Sequence, residues 1–287
     1  MNAQSLKHRM FRGGVKLIER GLTAISKDLY FKVVAGLLDE LNLNYRVETK
    51  KGPLFIHCDS ETVRIRARSM LNREPDTLTW IETFTPDEVL WDIGANIGVF
   101  TLYAARVAGA RVVAFDPLPL NHAGLTRNLC LNGLTDKVNA FCVALSDTTQ
   151  VARLRVPAEA DTPGGAGGVF NDENDNFGVP VKTIYELGAL GYGIDDFLDT
   201  FDVPFPNHLK LDIDGIQGKV VAGARATLRD ARLKTAMIEL QPMPEQSGFI
   251  LQEMSAAGFA LTKTVASVAG ESADINTGVT NNFFARQ

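Results

Sequence analysis

Short apolar segments alternate with amphipathic ones along most of this chain. The apolar segments have the length of buried strands, and the segments between them carry apolar residues at helical spacing. The predicted strands are VLWDI (89–93), RVVAFD (111–116), VNAFCVALS (138–146), HLKLDI (208–213), TAMIEL (235–240) and a closing hairpin of FALTKTV (259–265) and NNFFARQ (281–287); the predicted helices cover 99–108, 121–131 and 216–228. This alternation indicates an α/β fold with a mostly parallel sheet and helices on both faces.

Residues 1–73 follow a different pattern and are interpreted as a small N-terminal extension. Residues 1–44 carry apolar side chains at helical spacing, and residues 45–68 contain short alternating runs between turn formers, which predict a β-meander. Residues 74–287 then form the main predicted domain, whose first helix has Pro75 in its opening turn.

The stretch 157–180 interrupts the alternation of strands and helices. It contains four glycines in five positions, at Gly164, Gly165, Gly167 and Gly168. A long loop inside a compact domain is usually functional or disordered. The stretch is therefore either a lid over a pocket or a disordered surface insertion.

Composition and charge narrow the classes of partner. The net charge of -5 argues against a nucleic-acid-binding domain, so we expect no nucleic-acid partner. The three cysteines are scattered and fit a cytoplasmic protein. The first predicted helix carries five basic side chains, at Lys7, Arg9, Arg12, Lys16 and Arg20. It either lies on an anionic membrane surface or packs on its own domain.

The stretch LWDIGANIGVF (90–100) is the first candidate for chemistry. Gly94 lets the backbone bend after the strand, Gly98 lets the next helix approach a ligand, and that helix offers free N–H groups. A dinucleotide fingerprint reads GxGxxG, but here Asn96 stands between the two glycines and the spacing is shorter. The pattern from Asp92 is DxGxNxG.

Acidic residues follow the next two predicted strands. Asp116 and Pro117 end the second strand, and an acid there can accept hydrogen bonds from both hydroxyls of a ribose. The third strand ends at Ala144 to Asp147. An adenine ring would fit at this strand end against Asp147, although Asp147 is equally typical of a turn.

The fourth strand ends in Lys210-Leu211-Asp212-Ile213-Asp214. Asp212 and Asp214 are two residues apart and therefore face the same way in a strand. A carboxylate there would remove the proton of a hydroxyl acceptor, and Asp214 would alternatively cap the following helix. Asp212, Asp214 and Glu239 would supply the oxygen ligands of a divalent metal, though their spacing does not require one. His122 and His208 are weaker candidates for a base.

Taken in order, these segments resemble the FkbM-type family of class I S-adenosylmethionine-dependent methyltransferases. The matching segments are EPDTLTWIE (74–82), WDIGANIGVFTLYAA (91–105), AFDP (114–117), ALSD (144–147), LKLDIDGIQGKVVAGA (209–224), IEL (238–240) and NNFF (281–284). The resemblance implies a Rossmann-like seven-stranded sheet whose last strand is antiparallel, S-adenosylmethionine as methyl donor, and an oxygen acceptor.

The resemblance also implies roles for individual residues. The residues expected around the methionine part of the cofactor are Asp92, Gly94, Asn96 and Gly98. Asp116 would bind the ribose, and Glu74 and Thr77 belong to a segment that would close over the cofactor. The family often has a glutamate where this chain has Gln217, and also where it has Asp116.

The expected function is therefore O-methylation of a hydroxyl on a sugar, glycan or secondary metabolite. The alternatives are an NAD-linked oxidoreductase, which the shortened glycine pattern disfavours, and a non-catalytic cofactor-binding module, which Gln217 keeps open. The sequence indicates neither a metal requirement nor an oligomeric state.

Overall fold

The computed structural model describes residues 3–175, 177–267 and 278–287, with side chains from residue 13 onward. The chain divides into two compact units, Met1–Leu43 and Asn44–Gln287. The structure therefore moves the domain boundary from residue 73 to residue 43. The reason is that Val47 and Ile56 are buried in the same apolar core as Leu78 and Leu102.

The smaller unit consists of two helices, α1 (Ala3–Ile25) and α2 (Lys27–Glu40), which confirms the helical prediction. Ser26 separates them, because its side chain accepts a hydrogen bond from the Leu29 N–H and so caps α2. Leu17, Ile18 and Ile25 are exposed on α1. Within the described ranges, no helix combines the length and the hydropathy needed to span a membrane.

The larger unit begins with a hairpin of β1 (Asn44–Thr49) and β2 (Gly52–His57), followed by α3 (Glu61–Ser69) and α4 (Pro75–Ile81). The predicted β-meander was therefore wrong after the hairpin. The Ser60 hydroxyl accepts a hydrogen bond from the Val63 N–H and starts α3. Val63 and Ala67, one helical turn apart, are both buried.

The rest of the unit alternates strands and helices. The elements are β3 (Val89–Ile93), α5 (Val99–Tyr103) with a π-helical turn at Ala104–Ala108, β4 (Arg111–Phe115), α6 (Pro119–Asn132), β5 (Val138–Phe141), β6 (Ala144–Ser146), β7 (Gln150–Pro157), β8 (Val169–Phe170), β9 (Thr183–Gly193), α7 (Ile194–Thr200), β10 (His208–Leu211), α8 (Gln217–Ala222), α9 (Arg225–Arg229), β11 (Thr235–Leu240), α10 (Pro244–Ala256), β12 (Phe259–Ala266) and β13 (Thr280–Arg286).

The main sheet has seven strands in the order β12-β13-β11-β10-β3-β4-β5. Of these seven, β13 runs against the others, since it pairs antiparallel with both β11 and β12. Leu90 packs in one apolar core and the adjacent Trp91 in another, so both faces of the sheet are covered. The predicted Rossmann-like fold and its closing hairpin are confirmed.

A second sheet, in the order β6-β9-β7-β8, was not predicted. The predicted strand 138–146 is in fact two strands, because β5 ends in the main sheet and β6 pairs with β9. The predicted helix 216–228 breaks at Gly223, where an added Cβ would lie 2.3 Å from the Ser146 carbonyl oxygen. The missing Cβ of Gly223 therefore lets the end of α8 approach β6 of the second sheet closely.

Candidate active site

A cavity of about 240 Å³ lies at the carboxyl ends of β3, β4, β10 and β11. This is the edge of a parallel sheet at which α/β proteins bind ligands. The predicted site residues in its wall are Glu74, Gly94, Asn96, Asp116, Pro117, Ala144, Asp212, Asp214 and Glu239. The structure thus brings most of the predicted site together.

The glycine turn after β3 is shaped mainly by the protein's own packing. Gly94 has φ +81°, and a Cβ on it would lie 1.9 Å from the Asp212 carbonyl oxygen. Gly98 has φ +89°, and its Cβ would lie 2.4 Å from Leu125 Cδ1. Gly94 therefore lets the ends of β3 and β10 meet at the cavity, whereas Gly98 serves the packing of α6 and lies outside the cavity wall.

Asp92 lies beneath the turn and is fully buried. Its Oδ2 accepts a hydrogen bond of 2.6 Å from the Thr101 hydroxyl, and its Oδ1 is 3.3 Å from Lys210 Nζ. It does not line the cavity. Asp92 was predicted to lie around the methionine part of the cofactor. It instead holds Lys210, and Lys210 supports the candidate base Asp212.

Lys210 connects the buried acid to the cavity. Its ammonium donates a hydrogen bond of 3.0 Å to Asp212 Oδ2, and its side chain is only 1% exposed. Burial alone would lower the pKa of Lys210, but Asp212, Asp92 and Glu74 outweigh burial and raise the pKa above its ordinary value. Lys210 therefore carries a positive charge directly behind Asp212.

Asp212 is the more open of the two candidate catalytic acids, with 28% of its side chain exposed. Within the described ranges, no hydrogen bond is made by its Oδ1. Asp214 instead accepts a hydrogen bond of 2.6 Å from the Gly167 N–H. Helix α8 has Ile216 at its N-cap and no side-chain cap, so the alternative that Asp214 caps this helix was wrong.

Asp116 lies at the end of β4 and faces the cavity. Its carboxylate accepts hydrogen bonds from the N–H groups of Asn96 at 2.8 Å and Leu118 at 2.9 Å. Burial raises the pKa of Asp116 to about 6, although these two N–H donors oppose the rise. Asp147, in contrast, is exposed and accepts hydrogen bonds from Ser146 and Thr148 in its own turn, so it does not face the cavity.

Two further carboxyl groups close the cavity. Glu74 Oε2 accepts hydrogen bonds from Thr77 and Asn281, so Thr77 supports Glu74 from behind. Burial and Asp212 raise the pKa of Glu74. Burial, Asp212 and Glu74 raise the pKa of Glu239 to about 9. Glu239 is therefore protonated at neutral pH.

The acidic residues do not form a metal site in the described ranges. No group of three or more His, Cys, Asp or Glu side chains there is placed to hold a metal ion. Asp212, Asp214 and Glu239, named above as ligands for a divalent metal, therefore line one cavity but are not placed to bind one ion together.

The glycine-rich stretch, here called the glycine segment (164–168), contributes to the cavity wall. The Gly165 carbonyl accepts hydrogen bonds from Asn96 Nδ2 at 2.7 Å and from Asn121 Nδ2 at 3.1 Å. The Gly167 N–H binds Asp214. The glycine segment therefore contacts the turn after β3, helix α6 and the turn after β10. That the stretch 157–180 is a lid stays a prediction.

Sequence reasoning assigned no role to Arg66 or Arg73, the two arginines of the wall. Arg66 Nε donates a hydrogen bond of 2.6 Å to the Gly164 carbonyl. No helical spacing links the two arginines, because α3 ends at Ser69 and Arg73 lies in the turn beyond it. The β-meander predicted for residues 45–68 also concealed the helix that carries Arg66.

The histidine candidates and Gln217 lie outside the wall. His208 stacks on Phe84 with ring centroids 3.7 Å apart and contacts Thr235 and Glu88, and burial lowers its pKa. Burial also lowers the pKa of His122. Gln217 is buried, and its Nε2 donates to the Ile213 carbonyl. His208 and Gln217 are thus held by contacts within the fold, and none of the three side chains lines the cavity.

Residues 92–261 match the model of the methyltransferase FkbM domain. Relatives include methyltransferase sdnD of Sordaria araneosa, 28% identical over 46% of this chain and 58% of that protein. Hexuronic acid methyltransferase AglP of Haloferax volcanii is 24% identical over 66% of this chain and 71% of that one. The 31-O-demethyl-FK506 methyltransferase FkbM of Streptomyces tacrolimicus is 35% identical over 28% and 30%.

The match to sdnD thus spans less than two thirds of that protein's length. The domain match, however, covers more than half of this chain and includes the turns after β3, β4 and β10. The motifs and the sheet order agree with it. The chain belongs to the FkbM family of methyltransferases.

Proposed function

We propose that the protein is an S-adenosylmethionine-dependent O-methyltransferase that acts on a hydroxyl of a sugar, a glycan or a secondary metabolite. The main support is Asp212, which lines the cavity while Lys210 holds its Oδ2; among the described residues its Oδ1 makes no hydrogen bond. The names of relatives that act on a hexuronic acid and on an FK506 precursor support this class of acceptor.

The cavity fits this methyl donor by its charges and its shape. Asp116 offers a buried carboxylate for the two ribose hydroxyls. The carboxylate of Asp212 in the cavity wall provides a negative environment for a sulfonium. When bound, the donor supplies an electrophilic methyl group.

Asp212 would act as the general base in this reaction. Its Oδ1 would accept the proton of the acceptor hydroxyl while the hydroxyl oxygen attacks the methyl group of the donor. Lys210 keeps the carboxylate in place. Glu239 is protonated at neutral pH, and its two oxygens lie at hydrogen-bond distance from Gln241 and Ser267, so it is a neutral group of the cavity wall. Alignment of the two reactants by the cavity wall contributes most of the rate, roughly 7–11 kcal/mol.

Calorimetric titration tests the proposal against its alternatives. The protein is expected to bind S-adenosylhomocysteine and not NAD, and to methylate a member of a panel of hydroxylated sugars and metabolites. Binding of NAD without S-adenosylhomocysteine would establish the oxidoreductase alternative. Binding of S-adenosylhomocysteine without turnover on any acceptor would support a non-catalytic module.

Replacement of Asp116 with alanine is expected to weaken S-adenosylhomocysteine binding about tenfold or more. The reason is that hydrogen bonds to a charged group contribute about 1.5–3 kcal/mol each. Titration calorimetry measures the change. Asp147→Ala is the matched control, because Asp147 ends the neighbouring strand but is exposed and bonded within its own turn. Equal affinities of the two variants would contradict the ribose role of Asp116.

We also propose that α1 contacts an anionic membrane surface. The helix has five basic residues and one acidic residue, Glu19, and its apolar Leu17, Ile18 and Ile25 are exposed. Basic and apolar side chains on one helix are typical of helices that lie at the lipid headgroups. The charge of α1 contrasts with the net negative charge of the whole chain.

The protein is therefore expected to sediment with vesicles of phosphatidylglycerol and not with vesicles of phosphatidylcholine, and high salt should release it. Ile18→Glu is expected to abolish most of this binding. Val151→Glu, at an exposed apolar position of β7, serves as the control. Binding that ignores lipid charge, or equal loss in both variants, would contradict the membrane role of α1.

A further inference from the structure

Two arginines line the cavity, and the proposed chemistry uses neither. Arg66 lies on α3 and Arg73 in the turn before α4, and both belong to the cavity wall. Arg66 is fixed by one hydrogen bond, from its Nε to the Gly164 carbonyl at 2.6 Å. In the part of the chain that the structure describes, its two Nη groups make no hydrogen bond or ion pair.

Within the described ranges, the Arg73 side chain makes fewer hydrogen bonds than that of Arg66. Among the described residues, no side chain forms a hydrogen bond or an ion pair with its guanidinium. Burial lowers the pKa of Arg66, and the charge of Arg73 lowers it further, although Asp212, Asp116 and Asp214 oppose this. Two guanidinium groups that repel each other beside one cavity are unfavourable by themselves. An anion bound to both would offset this repulsion.

We propose that Arg66 and Arg73 together bind a carboxylate of a ligand in this cavity, and this inference rests on the proposed function. The planar guanidinium presents paired N–H donors that match the two oxygens of a carboxylate. A phosphate also fits such donors, but Glu74, Asp212 and Asp214 lie in the same wall. Their negative potential disfavours a doubly charged anion more than a singly charged one.

Two ligands can bring this carboxylate to the site. One is the methyl donor, through the carboxylate of its methionine part. The other is the acceptor, which would then be an acidic sugar or another carboxylated metabolite. Both give the same contacts with the arginines, so the experiment has one arm for each source.

The first arm compares S-adenosylhomocysteine with 5′-methylthioadenosine, which lacks the amino acid part, by calorimetric titration. If the donor supplies the carboxylate, Arg73→Gln is expected to weaken S-adenosylhomocysteine binding about 10- to 100-fold and to leave methylthioadenosine binding unchanged. The second arm titrates glucuronate, with glucose as neutral control, into protein saturated with S-adenosylhomocysteine. If the acceptor supplies the carboxylate, the wild type is expected to bind glucuronate more tightly than glucose, and Arg73→Gln is expected to remove this difference.

Arg66→Gln is expected to have the same selective effect, and Arg73→Lys to restore binding only in part because lysine keeps the charge but loses the paired donors. Arg68→Gln is the matched control, since Arg68 is exposed on α3 and lies outside the wall. Within the described residues the Arg73 guanidinium has no hydrogen bond to lose, so its variant is expected to melt like the wild type.

The proposal is overturned if both arginine variants bind S-adenosylhomocysteine and glucuronate as the Arg68 variant does. It is also overturned if all losses extend equally to methylthioadenosine and glucose. Failure of the wild type to bind S-adenosylhomocysteine at all would instead refute the proposed function, so the two failures are distinguishable.

Discussion

Replacement of Lys210 with methionine is expected to destabilise the protein by about 3–5 kcal/mol, the usual cost of removing one partner of a buried ion pair. The Lys210 ammonium lies 3.3 Å from Asp92 Oδ1 and 3.0 Å from Asp212 Oδ2, and both Lys210 and Asp92 have side chains only 1% exposed. Asp212 can be solvated through the cavity when the lysine is lost. Asp92 cannot, because it is buried, and among the described side chains the Thr101 hydroxyl is then its one remaining partner.

Urea unfolding of the two proteins measures this difference. Lys234→Met is the matched control, because Lys234 pairs with Glu88 but has 55% of its side chain exposed. Exposed pairs contribute about 0–1 kcal/mol. A second Asp92→Asn change is expected to recover part of the stability lost in the Lys210 variant. Similar losses in the Lys210 and Lys234 variants would show that Asp92 does not depend on the buried ammonium.

Strands β3, β4, β10 and β11 of the main sheet were predictable because they are buried on both faces. Each strand is then a continuous apolar run, as in VLWDI, whose bounds 89–93 match β3. The second sheet is different, since β9 is an 11-residue strand that contains Gly188, Gly191 and Gly193. β9 is a strand because it pairs with β7, although the stretch 158–182 separates the two in the sequence. No local pattern in β9 predicts a strand.

Helix α3 shows how a local pattern can mislead. Val63, Ile65 and Ala67 alternate with arginines, which is the period of a strand. The structure instead follows the cap at Ser60 and buries Val63 and Ala67, four residues apart. The capping residue was a better guide than the alternation.

The acids of the site were predictable because they end strands of a parallel sheet, and such ends meet at one edge. The different roles of these acids were not predictable, because they depend on which of the side chains are buried. Asp92 and Asp212 are at the ends of adjacent strands, yet one lies beneath the turn and the other opens to the cavity. The placement of Arg66 in the cavity wall depends on its contact with Gly164, which is 98 positions away in the sequence. No local pattern reveals such a contact.

Asp212→Asn is expected to lower kcat/KM for methyl transfer about 10²- to 10⁴-fold, the usual contribution of a general base. Binding of S-adenosylhomocysteine is expected to persist, because asparagine keeps the size of the aspartate side chain. The rate is measured as S-adenosylhomocysteine release with the acceptor that gives the highest turnover, and binding by calorimetry. Loss of turnover with retained binding separates the base from a residue that only holds the cofactor.

Glu239→Gln is the matched control, since it makes the same amide change in the same cavity. The raised pKa of Glu239, about 9, keeps it protonated near pH 7, and glutamine is likewise neutral. The control is therefore expected to retain turnover within about tenfold, the effect of one neutral hydrogen bond. If Glu239→Gln lost as much activity as Asp212→Asn, the two carboxyl groups would share the proton and Asp212 would not act alone. If Asp212→Asn kept full turnover, the base would lie elsewhere in the cavity, and the support that Lys210 gives to Asp212 would be structural.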